Sequence, residues 1–263
     1  MDFEFKRQYN VDDLIRIMKI LRGPEGCPWD KEQDHMSIRK NLIEECYETV
    51  EAIDCADPVL LREELGDLLL QIVFHSQMEA ESGRFDFNDV ADEICKKLIT
   101  RHPHIFSDTV VSGSEQVLDN WEQIKKVSKG QALASQTLDA VPKQLPALMR
   151  AQKCQARAAK AGFDYSELSQ ALQDLKSEIA ELEAEIEAKD RLKALEELGD
   201  LMFSCVNIAR FLKGDAEETL TFSTEKFIKR FRQVEDLALN YGIDLKAAGM
   251  DELDNLWKQI KNM

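Results

Sequence analysis

The sequence predicts an all-α protein built from two tandem helical-bundle repeats. Its 263 residues include only 11 Gly and 6 Pro, and apolar residues recur at intervals of three and four instead of alternating with polar ones. The prolines fall between or at the ends of these periodic stretches, where helices begin and stop. One ordered set of motifs also occurs in both halves of the chain. The helical spacing of apolar residues predicts an all-α fold, and the repeated order of motifs predicts two bundles.

Five motifs recur in the same order in the two halves. They are a Gly-containing turn, two carboxylate pairs, a Lys-x-x-x-Arg pair and a Trp-x-Gln-Ile-Lys segment. In the first half these are Gly26–Trp29, Glu45/Glu48, Glu64/Asp67, Lys97/Arg101 and Trp121/Lys125. In the second half they are Gly162–Tyr165, Glu178/Glu181, Glu197/Asp200, Lys226/Arg230 and Trp257/Lys261. We therefore expect a first repeat over residues 1–128, a linker over 129–146 and a second repeat over 147–263.

The carboxylates of each repeat lie on two neighbouring helices. Residues three apart share one face of a helix, so Glu45 and Glu48 project side by side, and Glu64 and Asp67 do so on the next helix. Asp57-Pro58 between them predicts a turn, which allows the two helices to pack antiparallel. Four carboxylates would then converge between the helices, and the second repeat would form the same arrangement.

Converging carboxylates repel one another and need a cation. Mg²⁺ is a hard ion that accepts one or two carboxylates, keeps water molecules and takes phosphate oxygens as further ligands, so one or two Mg²⁺ ions per site are expected. A simple solvated face is the alternative, and residues 178–188 also fit a coiled-coil surface. The repetition of the pairs, and the position of Glu64 and Asp67 in an apolar helix, favour the metal site.

Cationic and aromatic residues at helical spacing could hold a phosphorylated ligand. Lys226 and Arg230 share a helix face, and Arg binds phosphate oxygens in bidentate fashion. Trp257 and Lys261 are one turn apart, and an indole ring can stack on a nucleobase. The alternatives are a basic turn near a helix C-terminus and a tryptophan in the core.

Composition limits the partners. The chain has 34 Lys+Arg against 50 Asp+Glu, a formal net charge of -16, which argues against nucleic acid polymers because they are bound by unopposed cations. No apolar run reaches the ~18–20 residues of a membrane span, and residues 1–10 lack the apolar region of a secretory signal. The six scattered cysteines predict reduced, mostly buried thiols, so a cytoplasmic protein is expected.

These residues together resemble the MazG nucleoside triphosphate pyrophosphohydrolase family in its long two-repeat form. The family signature E-E-x-x-E, a spacer and E-x-x-D is matched in the first repeat by Glu44, Glu45, Glu48, Glu64 and Asp67. Gly26–Asp30, Arg101–His104 and Trp121–Lys125 are also similar to stretches of that family. The resemblance implies a homodimer that uses Mg²⁺ to convert a (d)NTP to the (d)NMP and pyrophosphate, with broad base specificity and a role in nucleotide-pool housekeeping.

The resemblance also implies roles for individual residues. Both four-carboxylate sets would bind metal, and the set of the second repeat would be catalytic: Glu178, Glu181, Glu197 and Asp200. The nucleotide-binding residues would be Lys193, Lys226, Arg230, Trp257 and Lys261. A possible second site would contain Glu44, Lys97, Arg101, Trp121 and Lys125.

The two repeats differ at positions that matter for the choice of active site. Lys193 of the second repeat stands where the first has Leu60, and the extra cation suits a triphosphate. Ser177, however, replaces the first Glu of the signature. Because the four expected metal ligands are kept, the second repeat is the expected principal site. The first would be a weaker, regulatory or structural copy.

Two other interpretations compete with this one. A di-iron carboxylate bundle needs Glu-x-x-His on two helices, and the chain has that spacing once, at Glu32 and His35. A non-catalytic helical interaction module with acidic faces would turn over no nucleotide. Iron content tests the first interpretation, and nucleotide turnover tests the second.

Overall fold

A computed structural model describes residues 3–109, 111–114, 116–117, 120–121, 124 and 133–261 of the chain. The chain divides into two compact units, residues 1–125 and 126–263. All regular secondary structure in the described part is helical, which confirms the all-α prediction. The described part of the expected linker belongs to the second unit and includes a short helix, Ala134–Asp139.

Unit 1 is organised around two long helices. Its helices are α1 (Val11–Leu21), α2 (Pro28–Glu32), α3 (Arg39–Asp54), α4 (Pro58–Glu81), α5 (Phe87–Arg101) and α6 (Pro103–Phe106). Helix α4 packs against α3, α1 and α5. The core between α1 and α4 contains Met18, Val73, Phe74 and Met78, joined by Ile38 from the segment before α3. These contacts fix the helix that carries Glu64 and Asp67.

Unit 2 repeats the central pair of helices and extends it. Its helices are α7 (Ala134–Asp139), α8 (Ala147–Lys160), α9 (Leu168–Glu187), α10 (Arg191–Phe211), α11 (Ala216–Tyr241) and α12 (Met250–Lys261). The α9–α10 pair forms the most extensive helix contact, and α8 packs against α10 and α11. A separate core joins α11 to α12 through Val234, Ala238, Leu256 and Ile260.

The turns that join the paired helices are alike in both units. Ala56 and Lys189 both adopt the left-handed conformation, with φ of 52° and 59°. The next residue caps the second helix: Asp57 accepts hydrogen bonds from the amides of Val59 and Leu60, and Asp190 accepts one from the amide of Lys193. The same backbone geometry at matching positions supports a duplicated hairpin.

One expectation from the sequence is overturned by the structure. The cysteines are not mostly buried: Cys46, Cys55, Cys95 and Cys205 are exposed, so that expectation is wrong. A Cβ atom at Gly66 or Gly199 would meet no described atom of this chain within 4 Å. Close packing within the described chain therefore does not explain these two helical glycines.

Substitution of Asp57 by Ala is expected to lower the free energy of unfolding of unit 1 by about 1 kcal/mol, because α4 loses its N-cap. Amide hydrogen exchange in α4, followed in the full chain, measures the change. Asp54→Ala is the matched control. Its carboxylate stands at the negative end of the α3 dipole, so this change is expected to cause no loss of stability. Equal destabilisation by both substitutions would contradict the capping role.

Candidate metal centre and adjoining cavity

The helix pair of unit 2 brings three carboxylates together. Oxygen atoms of Glu178 on α9 and of Glu197 and Asp200 on α10 all lie within 4.8 Å of one another. Glu181, the fourth member of the expected set, lies outside this group of three, but its charge contributes to the raised pKa of both Glu178 and Glu197. The four residues named from the sequence therefore share one site, with Glu181 at its edge.

Unit 1 forms a corresponding cluster with a different membership. Oxygen atoms of Glu45, Glu48 and Glu64 lie within 4.8 Å of one another, and Asp67 is the member outside the group. Burial, together with the charges of Asp67 and Glu48, raises the pKa of Glu45. The hydroxyl of Thr49 donates a 2.7 Å hydrogen bond to the carbonyl of Glu45 inside α3. Glu44, which completes the family signature, is exposed and belongs to neither group.

The carboxylates of unit 2 are electrostatically strained without a cation. Partial burial, followed by the negative charge of Glu181, raises the pKa of both Glu178 and Glu197 above the ordinary 4.5. Oxygen is the only ligand type in the cluster, which suits Mg²⁺ and gives no preference for a softer metal. The donor set and its repulsion therefore fit a hard divalent cation.

Ser177 contacts one of the expected metal ligands. Its hydroxyl donates a 3.0 Å hydrogen bond to Oε1 of Glu181, one turn further along α9. The residue that departs from the family signature thus orients a carboxylate of the site. A glutamate at this position would instead add a fifth negative charge beside Glu178 and Glu181.

A cavity of about 540 Å³ adjoins the carboxylates of unit 2. Glu178 and Asp200 form part of its wall, and α7, α8, the loop after α8, α9 and α10 supply the remainder. Its apolar lining residues are Leu138, Cys154, Ala158, Phe163 and Phe203. This volume lies in the range of pockets that enclose small organic ligands. The cluster therefore opens onto space sufficient for a nucleoside.

Several polar residues of the cavity form hydrogen bonds and an ion pair with one another. Asp174 accepts a 3.1 Å hydrogen bond from the Ser204 hydroxyl and another from Tyr165. Burial and this contact with Asp174 raise the pKa of Tyr165 to about 12. Arg210 forms a bidentate ion pair with Asp164, with Nη1–Oδ2 and Nη2–Oδ1 distances of 2.9 and 2.5 Å. These groups form a fixed lining.

One difference between the repeats lies in the wall of this cavity. Asn207 lines the cavity on α10, and the residue at the same helical position of α4 is Phe74. Phe74 is 5% exposed and packs in the core of unit 1, where the Arg22 guanidinium lies 5.2 Å from its ring centroid. A phenyl ring fills in unit 1 the position that a smaller amide occupies in unit 2.

The expected nucleotide-binding residues are only partly assembled with the cluster. Lys193 lies 3.8 Å from Glu185, beside the site at the start of α10. Trp257 packs on Phe227, with ring centroids 5.6 Å apart, in the core between α11 and α12. Within the described chain no hydrogen bond or ion pair joins Lys226, Arg230 or Lys261 to the carboxylates. Their contacts with a nucleotide stay a prediction.

Two described residues of the possible second site are in contact. The Arg101 guanidinium lies 5.0 Å from the centroid of the Trp121 ring, while Lys97 is exposed on α5. Lys125 lies outside the described residues. The di-iron alternative receives no support here, because His35 hydrogen-bonds to His75 and Glu79 and is not in the carboxylate cluster.

Sequence reasoning missed several residues that line the cavity. Asp174 is one turn before Glu178 on α9, so helical spacing could have identified it as a further carboxylate on that face. Gln155, Ser204, Asn207 and Arg210 follow no pattern that marks them as ligand-binding residues, since their position depends on how α8 packs against α10.

Comparison with known proteins identifies the family. The model of the MazG nucleotide pyrophosphohydrolase domain matches residues 33–106 and again residues 166–235. The chain belongs to the MazG family. The two matches contain the two carboxylate clusters, so each unit includes one MazG domain.

Full-length relatives agree with this assignment. The chain is 45% identical over 254 residues to the nucleoside triphosphate pyrophosphohydrolase of Escherichia coli (strain K12), covering 95% of this chain and 97% of the relative. It is 42% identical over 250 residues to the nucleoside triphosphate pyrophosphohydrolase/pyrophosphatase MazG of Thermotoga maritima, covering 95% of each. It is also 44% identical over 262 residues to the uncharacterized protein YabN of Bacillus subtilis, covering 98% of this chain and 53% of that protein.

Proposed function

We propose that this MazG protein hydrolyses nucleoside triphosphates to the monophosphate and pyrophosphate at the carboxylate cluster of unit 2. The observation that carries the proposal is the position of Glu178 and Asp200, which belong both to the expected metal-ligand set and to the wall of the cavity. A nucleoside in the cavity would place its α-phosphate near these carboxylates. The names of the full-length relatives support the same reaction.

The proposed cofactor is Mg²⁺, one or two ions per site, held by Glu178, Glu181, Glu197 and Asp200. When bound, it would polarise the α-phosphate and lower the pKa of a water molecule. The carboxylates supply only hard oxygen donors and carry repulsion that a cation relieves. The Ser177 hydroxyl donates a hydrogen bond to Oε1 of Glu181 and leaves Oε2 of that carboxylate available to a cation.

The leaving pyrophosphate needs positive charge, and cations at the cluster's rim would supply it. Lys193 has a side chain that is 61% exposed and a long 3.8 Å pairing with Glu185, so little free energy opposes its reorientation towards a phosphate. Lys226, Arg230 and Lys261 are further proposed phosphate contacts, and Trp257 is a proposed aromatic contact. Positive side chains would stabilise the charge that develops as the anhydride bond breaks.

Unit 1 is proposed to be a cation-binding copy with little or no turnover. Its carboxylates also meet, but Phe74 fills the position where unit 2 has Asn207. Lys97, Arg101, Trp121 and Lys125 would belong to this second site. Such a copy would keep the duplicated fold while one repeat performs the reaction.

Self-association as a homodimer is proposed from the apolar surface of the paired helices. Ile43, Val50 and Ile53 on α3 are 46%, 50% and 57% exposed, and Leu195 and Met202 on α10 are each 54% exposed. An exposed apolar stripe of this kind is typical of an interaction surface. Light scattering of the purified chain measures the molar mass directly.

No helix in the described chain is long and apolar enough to cross a bilayer. The net charge of -16 supports a small, metal-associated anion as the partner in preference to a nucleic acid polymer. A base specificity broad enough to include purine and pyrimidine nucleotides, a cytoplasmic location and a role in clearing nucleotide pools complete the proposal.

Pyrophosphate release from the common ribo- and deoxyribonucleoside triphosphates tests the function. We expect equimolar pyrophosphate and monophosphate with Mg²⁺, and loss of product when the metal is chelated. Release of orthophosphate and a diphosphate would place the cleavage at the wrong bond. The absence of any product across the panel would favour the non-catalytic interaction module.

Cation affinity is expected to fall with decreasing pH sooner than for isolated glutamates. Glu178 and Glu197 bind metal when ionised, and their pKa values are raised above 4.5, so protons begin to compete at a higher pH. Calorimetric titration of Mn²⁺ into the protein from about pH 8 to about pH 5 measures this decline. In Glu181→Gln the loss of one charge should move the decline to lower pH. An affinity that is constant over this whole pH range would contradict the raised pKa values.

A further inference from the structure

The charges around the cavity of unit 2 determine which end of a nucleotide can enter it, given the proposed function. Asp174 lines the cavity and is not one of the proposed metal ligands, while the charge of Arg210 is already matched by Asp164. A pyrophosphate group inside the cavity would therefore face the negative charge of Asp174. An uncharged nucleoside would not, so the base enters the cavity and the β- and γ-phosphates remain outside.

Gln155 presents an acceptor that has no partner. Its Nε2 donates a 2.8 Å hydrogen bond to the carbonyl of Phe203, which fixes the orientation of the amide. The other amide atom, Oε1, is buried and makes no hydrogen bond in the described chain, and the residue is only 8% exposed. A buried acceptor without a partner lowers the stability of the folded chain. A donor on a ligand in the same cavity would recover that free energy.

Asp174 presents a second acceptor on the same wall. Ser204 and Tyr165 donate to it, and an ionised carboxylate has about four lone-pair sites, so it can accept further hydrogen bonds. Unit 1 has Asn41 at the matching position of α3, so the carboxylate is particular to the unit with the cavity. The raised pKa of Tyr165 keeps its phenol protonated as a donor to Asp174.

We propose that Gln155 and Asp174 select adenine and cytosine, whose amino groups are at C6 of the purine and C4 of the pyrimidine, over the oxo counterparts hypoxanthine and uracil. An amino group at this position has N–H donors that either acceptor can bind. A carbonyl at the same place would set its oxygen against them. The cavity volume admits purines and pyrimidines alike, so the enzyme is broad in ring size and selective for the amino group.

The test compares pairs of substrates that differ by one group: CTP with UTP, and ATP with ITP. In the unmodified protein we expect kcat/KM to favour the amino member of each pair by about tenfold or more. Asp174→Asn replaces an acceptor oxygen by an amide donor and should reduce both ratios at least about tenfold. Gln155→Leu should also reduce them. Each ratio is taken within one preparation, so a general loss of activity or metal affinity cancels.

Asn41→Asp is the matched control, because it makes the reciprocal change at the same helical position of unit 1 and should leave both ratios unchanged. Comparison of the inhibition constants of CMP and UMP provides a readout that does not depend on the chemical step. Equal kcat/KM within each pair in the unmodified protein overturns this inference while leaving the pyrophosphohydrolase intact. Ratios that persist in both variants overturn the choice of residues. A protein that releases pyrophosphate from no nucleotide overturns the proposed function itself, and the inference with it.

Discussion

Glu197→Gln is expected to lower the rate of pyrophosphate release by about 100-fold or more, whereas Glu64→Gln is expected to lower it by no more than about threefold. The two substitutions are chemically identical and occupy matching positions of α10 and α4. Each replaces a charged oxygen donor by a neutral amide of the same shape. Glu197 belongs to the carboxylate cluster that opens onto the cavity of unit 2, and among the described residues the cluster of Glu64 adjoins no such cavity.

The comparison separates catalysis from stability. Both glutamates lie among repelling carboxylates, so removal of a charge should raise or preserve the stability of the metal-free protein at either position. Thermal unfolding without metal checks that both variants fold, and initial rates at saturating Mg²⁺ give the activity. Equal losses, or a larger loss for Glu64→Gln, would move the principal site to unit 1.

Asn207→Phe is expected to reduce kcat/KM for every nucleotide by about 100-fold, since the phenyl ring would occupy the space of the base. Phe74 shows that a phenyl ring at this helical position is compatible with the repeat, because it packs in the core of unit 1. The loss should therefore appear in activity without comparable loss of helical structure.

Leu212→Phe is the control for this change. Leu212 follows α10 and is 64% exposed, so its replacement adds an aromatic ring outside the cavity and should leave the activity unchanged. Circular dichroism and the metal affinity of both variants complete the comparison. Full activity of Asn207→Phe would show that the nucleoside does not enter the cavity.

The sequence allowed the fold and the carboxylate positions to be predicted because both depend on local spacing. Pairs of acids three apart, placed on two apolar helices joined by a short turn, must face each other when the helices pack. The turns at Ala56 and Lys189 share the same left-handed backbone conformation, as expected for a duplicated helix pair.

The cavity could not be predicted because it depends on contacts between distant segments. Gln155 meets Phe203 only when α8 packs on α10, and the space appears because Asn207 is smaller than Phe74. Sequence spacing contains no information on such volumes. Exposure of Cys46 and Cys205 was misjudged for a related reason, since an apolar stripe predicts burial without saying which partner supplies it.

The cavity of unit 2 also makes the stability of the folded chain depend on the concentration of nucleotide. A ligand that binds only the folded state stabilises it by mass action, and the effect grows with the concentration of ligand. Unit 1, with Phe74 in its core, gains nothing of this kind at the same position. We therefore expect a shortage of nucleotides to lower the stability of unit 2 more than that of unit 1.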